Sequence, residues 1–265
     1  MHTHQRQQRA QRAGYRKAGY GARTPAGARL SQCIVATPVL IALNVLVYVI
    51  TAAQAGSAMA NQQSELFGRW VLWPLAISGE DQWGRLITSG FLHYGLLHLA
   101  MNMLALFILG RELEVLLGKV RYLALYLVSM LGGSTAVYVL GSTDTGTAGA
   151  SGAIFGLMGA FLIAVIRLRI NPSAALGIIA VNVFITFTIP GISMLGHLGG
   201  LALGALVMAA MMYAPEKNRT AWQAGTVVLG AVALAGLVLY RDAQLGSVYC
   251  DIVSGGQLGC ANPAG

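Results

Sequence analysis

Charge is scarce in this chain. Charged residues fill 10% of its 265 positions, and Asp and Glu together number only 9. Against 56% hydrophobic residues and a mean hydropathy of +0.65, that scarcity excludes an ordinary soluble domain. Cysteine is sparse too. Cys33 heads the first apolar run and reads as a small core residue. Cys250 and Cys260 fall in a polar C-terminal stretch, where an oxidising compartment would permit a disulfide. No Cys/His cluster has metal-ligand spacing, which argues against zinc chemistry, and no cofactor is implied. Sequence repeats are missing as well, which weighs against the paired broken helices of many transporters.

What the chain has in quantity is apolar runs of membrane length. A helix needs about 20 apolar residues to cross the hydrocarbon core. Runs of roughly that kind occupy Cys33–Ala53, Tyr94–Leu109, Tyr122–Gly141, Ala150–Ile166, Ala174–Ile189, Leu195–Tyr213 and Trp222–Tyr240. The expected fold is therefore an all-α polytopic membrane protein. The first run is too long, and lies too far behind polar residues, for a signal peptide.

Basic residues set the expected orientation. With the N-terminus in the cytoplasm, 14 of the 17 Lys and Arg fall in the inner segments 1–30, 110–121, 167–173 and 214–221. Only Arg69, Arg85 and Arg241 lie outside. The formal charge of +8 then reports topology and contact with anionic lipid, not nucleic acid. An organellar transit peptide is the alternative for the Arg-rich, acid-free leader. Residues 1–30 read as a disordered tail. The loop 54–91, with Phe67, Trp70, Trp73 and Pro74, reads as an interfacial or re-entrant segment. Residues 31–213 form the core, 214–240 carry a seventh span, and 241–265 form an external tail.

Two polar residues stand out inside apolar runs. Gly149-Ala150-Ser151-Gly152 opens the fourth run, and His197 opens the sixth. A nucleophile and a base are the pair that acyl transfer requires. For each alone, helix packing is the plain alternative. Context shifts both. Residues 142–147 form a polar turn, so Ser151 stands at a helix N-terminus, whose free N–H groups favour an oxyanion. Gly196, Gly200 and Gly204 make a small-residue stripe that permits close packing against Gly149, Gly152, Gly156 and Gly159. In the second run His98 and Asn102 share one helix face, and both can donate hydrogen bonds to a developing negative charge. For Asn44 and Asn182, an interhelical hydrogen bond is the expected role.

Gly-Ala-Ser-Gly in the fourth span, His-x-x-Gly-x-x-x-Gly in the sixth and His-x-x-x-Asn in the second together resemble the rhomboid family of intramembrane serine proteases. The resemblance covers about residues 33–213, and the seventh span is similar to the six-plus-one subgroup. It implies Ser151 as nucleophile and His197 as base. It also implies an oxyanion hole of His98, Asn102, Gly149 and the Ser151 backbone N–H. Trp83 and Arg85 correspond to the first-loop motif, His93 to a loop-side histidine, and Gly110-Arg111-Glu112-Leu113-Glu114 to the stretch closing the second span. The family's stacking tyrosine falls on Phe155. Gly84 separates Trp83 from Arg85, where the family has them adjacent.

With no Asp or Glu in the fourth or sixth span, a Ser-His dyad oriented by Phe155 is expected. The expected substrates are single-span membrane proteins cut near the outer end, entering past the fifth span. A bacterial plasma membrane is the expected location, with the C-terminus external. A catalytically silent member of the same fold, or a transporter, is the competing reading.

Overall fold

The computed structural model describes residues 24–28, 33–189, 191–245, 249–253 and 257–261. Seven helices carry the bundle: α1 (Ala36–Ala55), α5 (Gly95–Leu117), α6 (Lys119–Leu140), α7 (Ser151–Arg167), α8 (Ser173–Thr188), α9 (Met194–Met212) and α10 (Arg219–Leu245). Between α1 and α5 lie three short helices, α2 (Glu65–Trp70), α3 (Pro74–Gly79) and α4 (Arg85–Thr88). The chain is an integral, multi-pass membrane protein. By length and apolarity α1, α6, α9 and α10 can each span a membrane, and α4 with α5 makes a bent pair that passes the same test. The apolar helices α7 and α8 are shorter, at 17 and 16 residues.

The helices pack where small residues let them. Helices α6, α7 and α9 form the centre. A Cβ on Gly133 would come within 2.6 Å of the Gly196 carbonyl, and one on Gly159 within 2.5 Å of the Leu201 carbonyl. One on Gly200 would overlap the carbonyl oxygen of Gly152, and one on Gly204 that of Gly156. The stripe thus faces two neighbours: Gly196 meets α6, while Gly200 and Gly204 meet α7. Around this backbone contact Leu106, Leu113, Tyr122, Tyr126, Leu157 and Met208 are fully buried. Helix α8 is peripheral, and its only buried residues are Ala175 and Thr186.

Several expected details differ in the structure. The segment 110–121, expected as a loop, is helical except at Gly118, whose φ of 75° makes the turn between α5 and α6. Charge at Arg111, Glu112 and Glu114 ends the apolar run but not the helix, because Glu114 is buried and fully used. Its carboxylate accepts from the N–H groups of Val35, Ala36 and Thr37 and from the Thr37 hydroxyl, all at 2.8 Å. It therefore caps α1, whose first turn has no carbonyl partners of its own. Gly110 makes room for this, since a Cβ there would lie 3.0 Å from Thr37.

The segment 241–265, expected as an external tail, carries regular structure of its own. Helix α10 continues to Leu245, held where the Tyr138 hydroxyl donates to Asp242 at 3.0 Å. Beyond it β1 (Tyr249–Val253) and β2 (Gln257–Ala261) pair antiparallel, with Cys250 opposite Cys260. Both strands lie against α3, at the same end of the bundle as the N-terminus of α7. The expected disordered tail falls almost wholly outside the described residues. Asn182, expected in an interhelical hydrogen bond, instead donates to the Ile178 carbonyl four residues back on its own helix, as Asn44 does to Leu40, and Cys33, expected as a small core residue, is exposed.

Candidate active site

Ser151 is the first residue of α7, and the loop before it is pinned from several sides. Leu72 and Thr147 exchange both backbone hydrogen bonds, at 3.0 and 2.9 Å. The Tyr94 hydroxyl donates to the Gly146 carbonyl at 3.1 Å, and the Gly149 N–H donates to Ser89 at 3.0 Å. Gly149 has a φ of 140°, a conformation that favours glycine. Residues 142–150 thus leave the bundle as a fixed loop, and the N–H groups of the first α7 turn have no intrahelical carbonyl to bond.

His197 lies in the first turn of α9, which starts where the Ser193 hydroxyl accepts from the Gly196 N–H. The imidazole is buried, with 8% exposure. Its Nε2 lies 2.8 Å from Ser151 Oγ. Its ring stacks on Phe155, with centroids 4.0 Å apart and planes at 17°. One helical turn separates Phe155 from Ser151, so a single face of α7 presents both the hydroxyl and the ring. On the opposite edge, His197 Nδ1 is 2.7 Å from the Thr186 hydroxyl of α8. Nothing in the one-chain pattern singled out Thr186, one of several threonines in or near an apolar run.

The third element faces Ser151 across Gly149. His98 Nδ1 accepts from the Tyr94 N–H at 3.2 Å, so the neutral ring carries its proton on Nε2. A Cβ built on Gly149 would sit 3.1 Å from His98 Nε2 and 3.4 Å from Ser151 Oγ. A side chain here would run into the His98 ring, 2.9 Å from Cε1, so glycine lets a hydrogen-bond donor stand beside the serine oxygen. Asn102 is buried one turn further along α5, where its amide donates to the His98 carbonyl at 2.8 Å. His93, fully buried before α5, meets His98 edge to face at 5.1 Å. Asn61, buried in the first loop, holds the start of α5 by donating to His93 and accepting from Gly95.

Trp83 and Arg85 part company. Arg85 is buried and ties the loop together, donating to the Gly68 carbonyl at 2.8 Å, to Val71 at 2.7 Å and to Gln82 at 2.6 Å. Trp83 turns its ring to the edge of Tyr138 on α6. The intervening Gly84 puts the two side chains on different faces of the loop. Cys250 and Cys260 stand opposite each other in the register of the hairpin.

A fixed serine at a helix N-terminus, a buried imidazole on its oxygen and a hydrogen-bond donor beside it make up the constellation of a serine hydrolase. A Rhomboid domain matches residues 80–214, which span α4 to the end of α9. Among curated proteins, the chain is 36% identical over 159 residues to the putative rhomboid protease YdcA of Bacillus subtilis. That match covers 56% of this chain and 80% of the relative. It is 33% identical over 208 residues to the rhomboid protease GluP of the same organism, covering 77% of this chain but only 39% of that longer protein. It is 28% identical over 235 residues to the rhomboid protease AarA of Providencia stuartii, covering 78% and 83%. The class is that of serine proteases in the membrane. The chain belongs to the rhomboid family.

Proposed function

We propose that this chain is an intramembrane serine endopeptidase that cuts membrane-anchored proteins near the outer end of a transmembrane segment with a Ser151–His197 dyad. The observation that carries the reading is the 2.8 Å separation of Ser151 Oγ and His197 Nε2 inside a helical bundle.

In this reading His197 Nε2 takes the Ser151 proton as Oγ attacks the scissile carbonyl. The oxyanion develops beside Gly149, and accepts from His98 Nε2–H and the Ser151 N–H. Asn102 joins by turning its amide away from the His98 carbonyl. His197 then hands its proton to the leaving amine, and a water attacks the acyl-enzyme by the reverse path. The polar loop 142–150 admits that water, since irregular backbone at membrane depth is tolerated where it lines a cavity. A substrate helix must unwind to lay its backbone on Ser151, so weak helix formers near the cut are favoured.

We further propose seven spans with the N-terminus in the cytoplasm, which puts Ser151, the first loop and the C-terminal hairpin on the outer side. A Cys250–Cys260 disulfide is supported by their direct pairing in the register. A fluorophosphonate tests the enzyme reading. Labelling of the purified protein in detergent, lost in Ser151→Ala, is expected. Absence of labelling in the unmodified protein would favour a silent rhomboid-fold binder.

A further inference from the structure

The dyad has a polar partner beyond its two members, supplied by a helix that otherwise barely touches the bundle. Helix α8 buries only Ala175 and Thr186 among its 16 residues, and the second of these is aimed at the base. The Thr186 hydroxyl makes two short contacts. It lies 2.8 Å from the Asn182 carbonyl oxygen on its own helix and 2.7 Å from His197 Nδ1. A hydroxyl has one proton, and a carbonyl oxygen can only accept. If the proton points to Asn182, both contacts are hydrogen bonds, because Nδ1–H donates to the Thr186 oxygen. If it points to Nδ1, two oxygen lone pairs face each other at 2.8 Å with no proton between them. The first arrangement satisfies every atom.

From this we infer that Thr186 is a positioning residue that holds His197 in its Nδ1–H tautomer, leaving Nε2 unprotonated to receive the Ser151 proton. The inference rests on the dyad proposed above. In the other tautomer Nε2–H would donate to Ser151 Oγ, and the imidazole could not act as base. No Asp or Glu occurs in α7, α8 or α9, so no carboxylate of these helices does this work. Phe155 fixes the plane of the ring but not its tautomer, since a ring face has no hydrogen-bond direction. As His197 becomes imidazolium, Nδ1–H keeps its acceptor, and the Thr186 hydroxyl passes the polarisation to the Asn182 carbonyl. The proton never leaves Nδ1; Thr186 neither gains nor loses one during the reaction.

The tautomer is directly observable. In protein labelled with [15N]histidine, the His197 signals, identified by their loss in His197→Gln, are expected to show Nδ1 protonated and Nε2 unprotonated at neutral pH. Thr186→Val keeps the shape and removes the hydroxyl. It is expected to lower kcat on a single-span reporter about 10–100-fold, with KM little changed and a mixed-tautomer spectrum. Thr186→Ser is expected to restore rate and spectrum. An Nε2–H signal in the unsubstituted protein overturns the inference without any variant having to fold. So does Thr186→Val with unchanged kcat, or a raised KM alone, which would make Thr186 a substrate contact. The dyad is checked separately by Ser151→Ala in the same assay. If that variant still cleaves, both readings fail; if it is inactive while Thr186→Val is fully active, only the role of Thr186 is lost.

Discussion

Replacing Gly200 by alanine puts a methyl group onto the carbonyl of Gly152, one residue after the nucleophile. The added Cβ would stand 2.8 Å from the Gly152 carbonyl carbon and 3.2 Å from its Cα, where ordinary contact begins at 3.4 Å. The obstacle is backbone at the first turn of α7, so no side chain can swing aside, and α7 and α9 must separate. Overpacking of this kind costs about 1–3 kcal/mol. Catalysis should suffer more than stability. Ser151 and His197 ride on the two helices being pushed apart, and their 2.8 Å contact has little room before it leaves hydrogen-bond reach. A misplacement of about 1 Å can cost on the order of 10²-fold in rate. We therefore expect Gly200→Ala to lose about 10²-fold in turnover of a fluorescent single-span reporter in proteoliposomes, while a thermal unfolding trace remains cooperative. Gly177→Ala on α8, with nothing within 4 Å of the added Cβ, serves as the control and should keep its rate. Gly200→Ala with native turnover would refute the argument that backbone contact between α7 and α9 sets the distance of the dyad.

Other expectations follow from single contacts. His98→Ala and Asn102→Ala should each slow reporter cleavage on the order of 10²–10³-fold, the usual loss for an oxyanion donor. Asn182→Ala, whose amide only bonds its own helix, should do far less, and equal losses at Asn102 and Asn182 would reduce the former to packing. Glu114→Ala strips α1 of a charged cap with four hydrogen bonds and should destabilise the bundle by about 2–4 kcal/mol in a denaturation series. Its surviving folded fraction should retain normal kcat, because Glu114 acts at the far end of α5. On a non-reducing gel, Cys250 and Cys260 should resist alkylation until a reductant is added; two freely alkylated thiols would remove the disulfide and leave the protease reading intact.

Much of the centre is legible in the sequence, for physical reasons. Polar residues are costly in lipid, so Ser151, His197, His98 and Asn102 stand out against apolar runs, and glycines at four-residue spacing advertise which helix faces meet. The structure brings Ser151 and His197 within 2.8 Å and sets His98 beside them, with Asn102 one turn further along α5, bonded to the His98 carbonyl. Helix ends were harder to read. Apolarity ends at Arg111, yet α5 continues because Glu114 finds four donors at the start of α1. Such a partner, 79 residues away from Val35 in the chain, leaves no local trace. Asn61 and Gln223 are missed for the same reason: each is a buried polar residue whose partners lie on other segments. Thr186 is harder still. Thr186 and Thr188 both return a hydrogen bond to their own helix, and only tertiary placement of His197 tells them apart. The hairpin after α10 carries little signal because its strands are only 5 residues each.

The most direct measurement is cleavage of a purified single-span reporter by the purified protein in liposomes, compared across the unsubstituted chain, Ser151→Ala and His197→Ala. Removing either half of a dyad should leave no detectable product while all three proteins unfold at similar temperatures. Specific cleavage of the reporter by folded Ser151→Ala would contradict the assignment of Ser151 as the nucleophile.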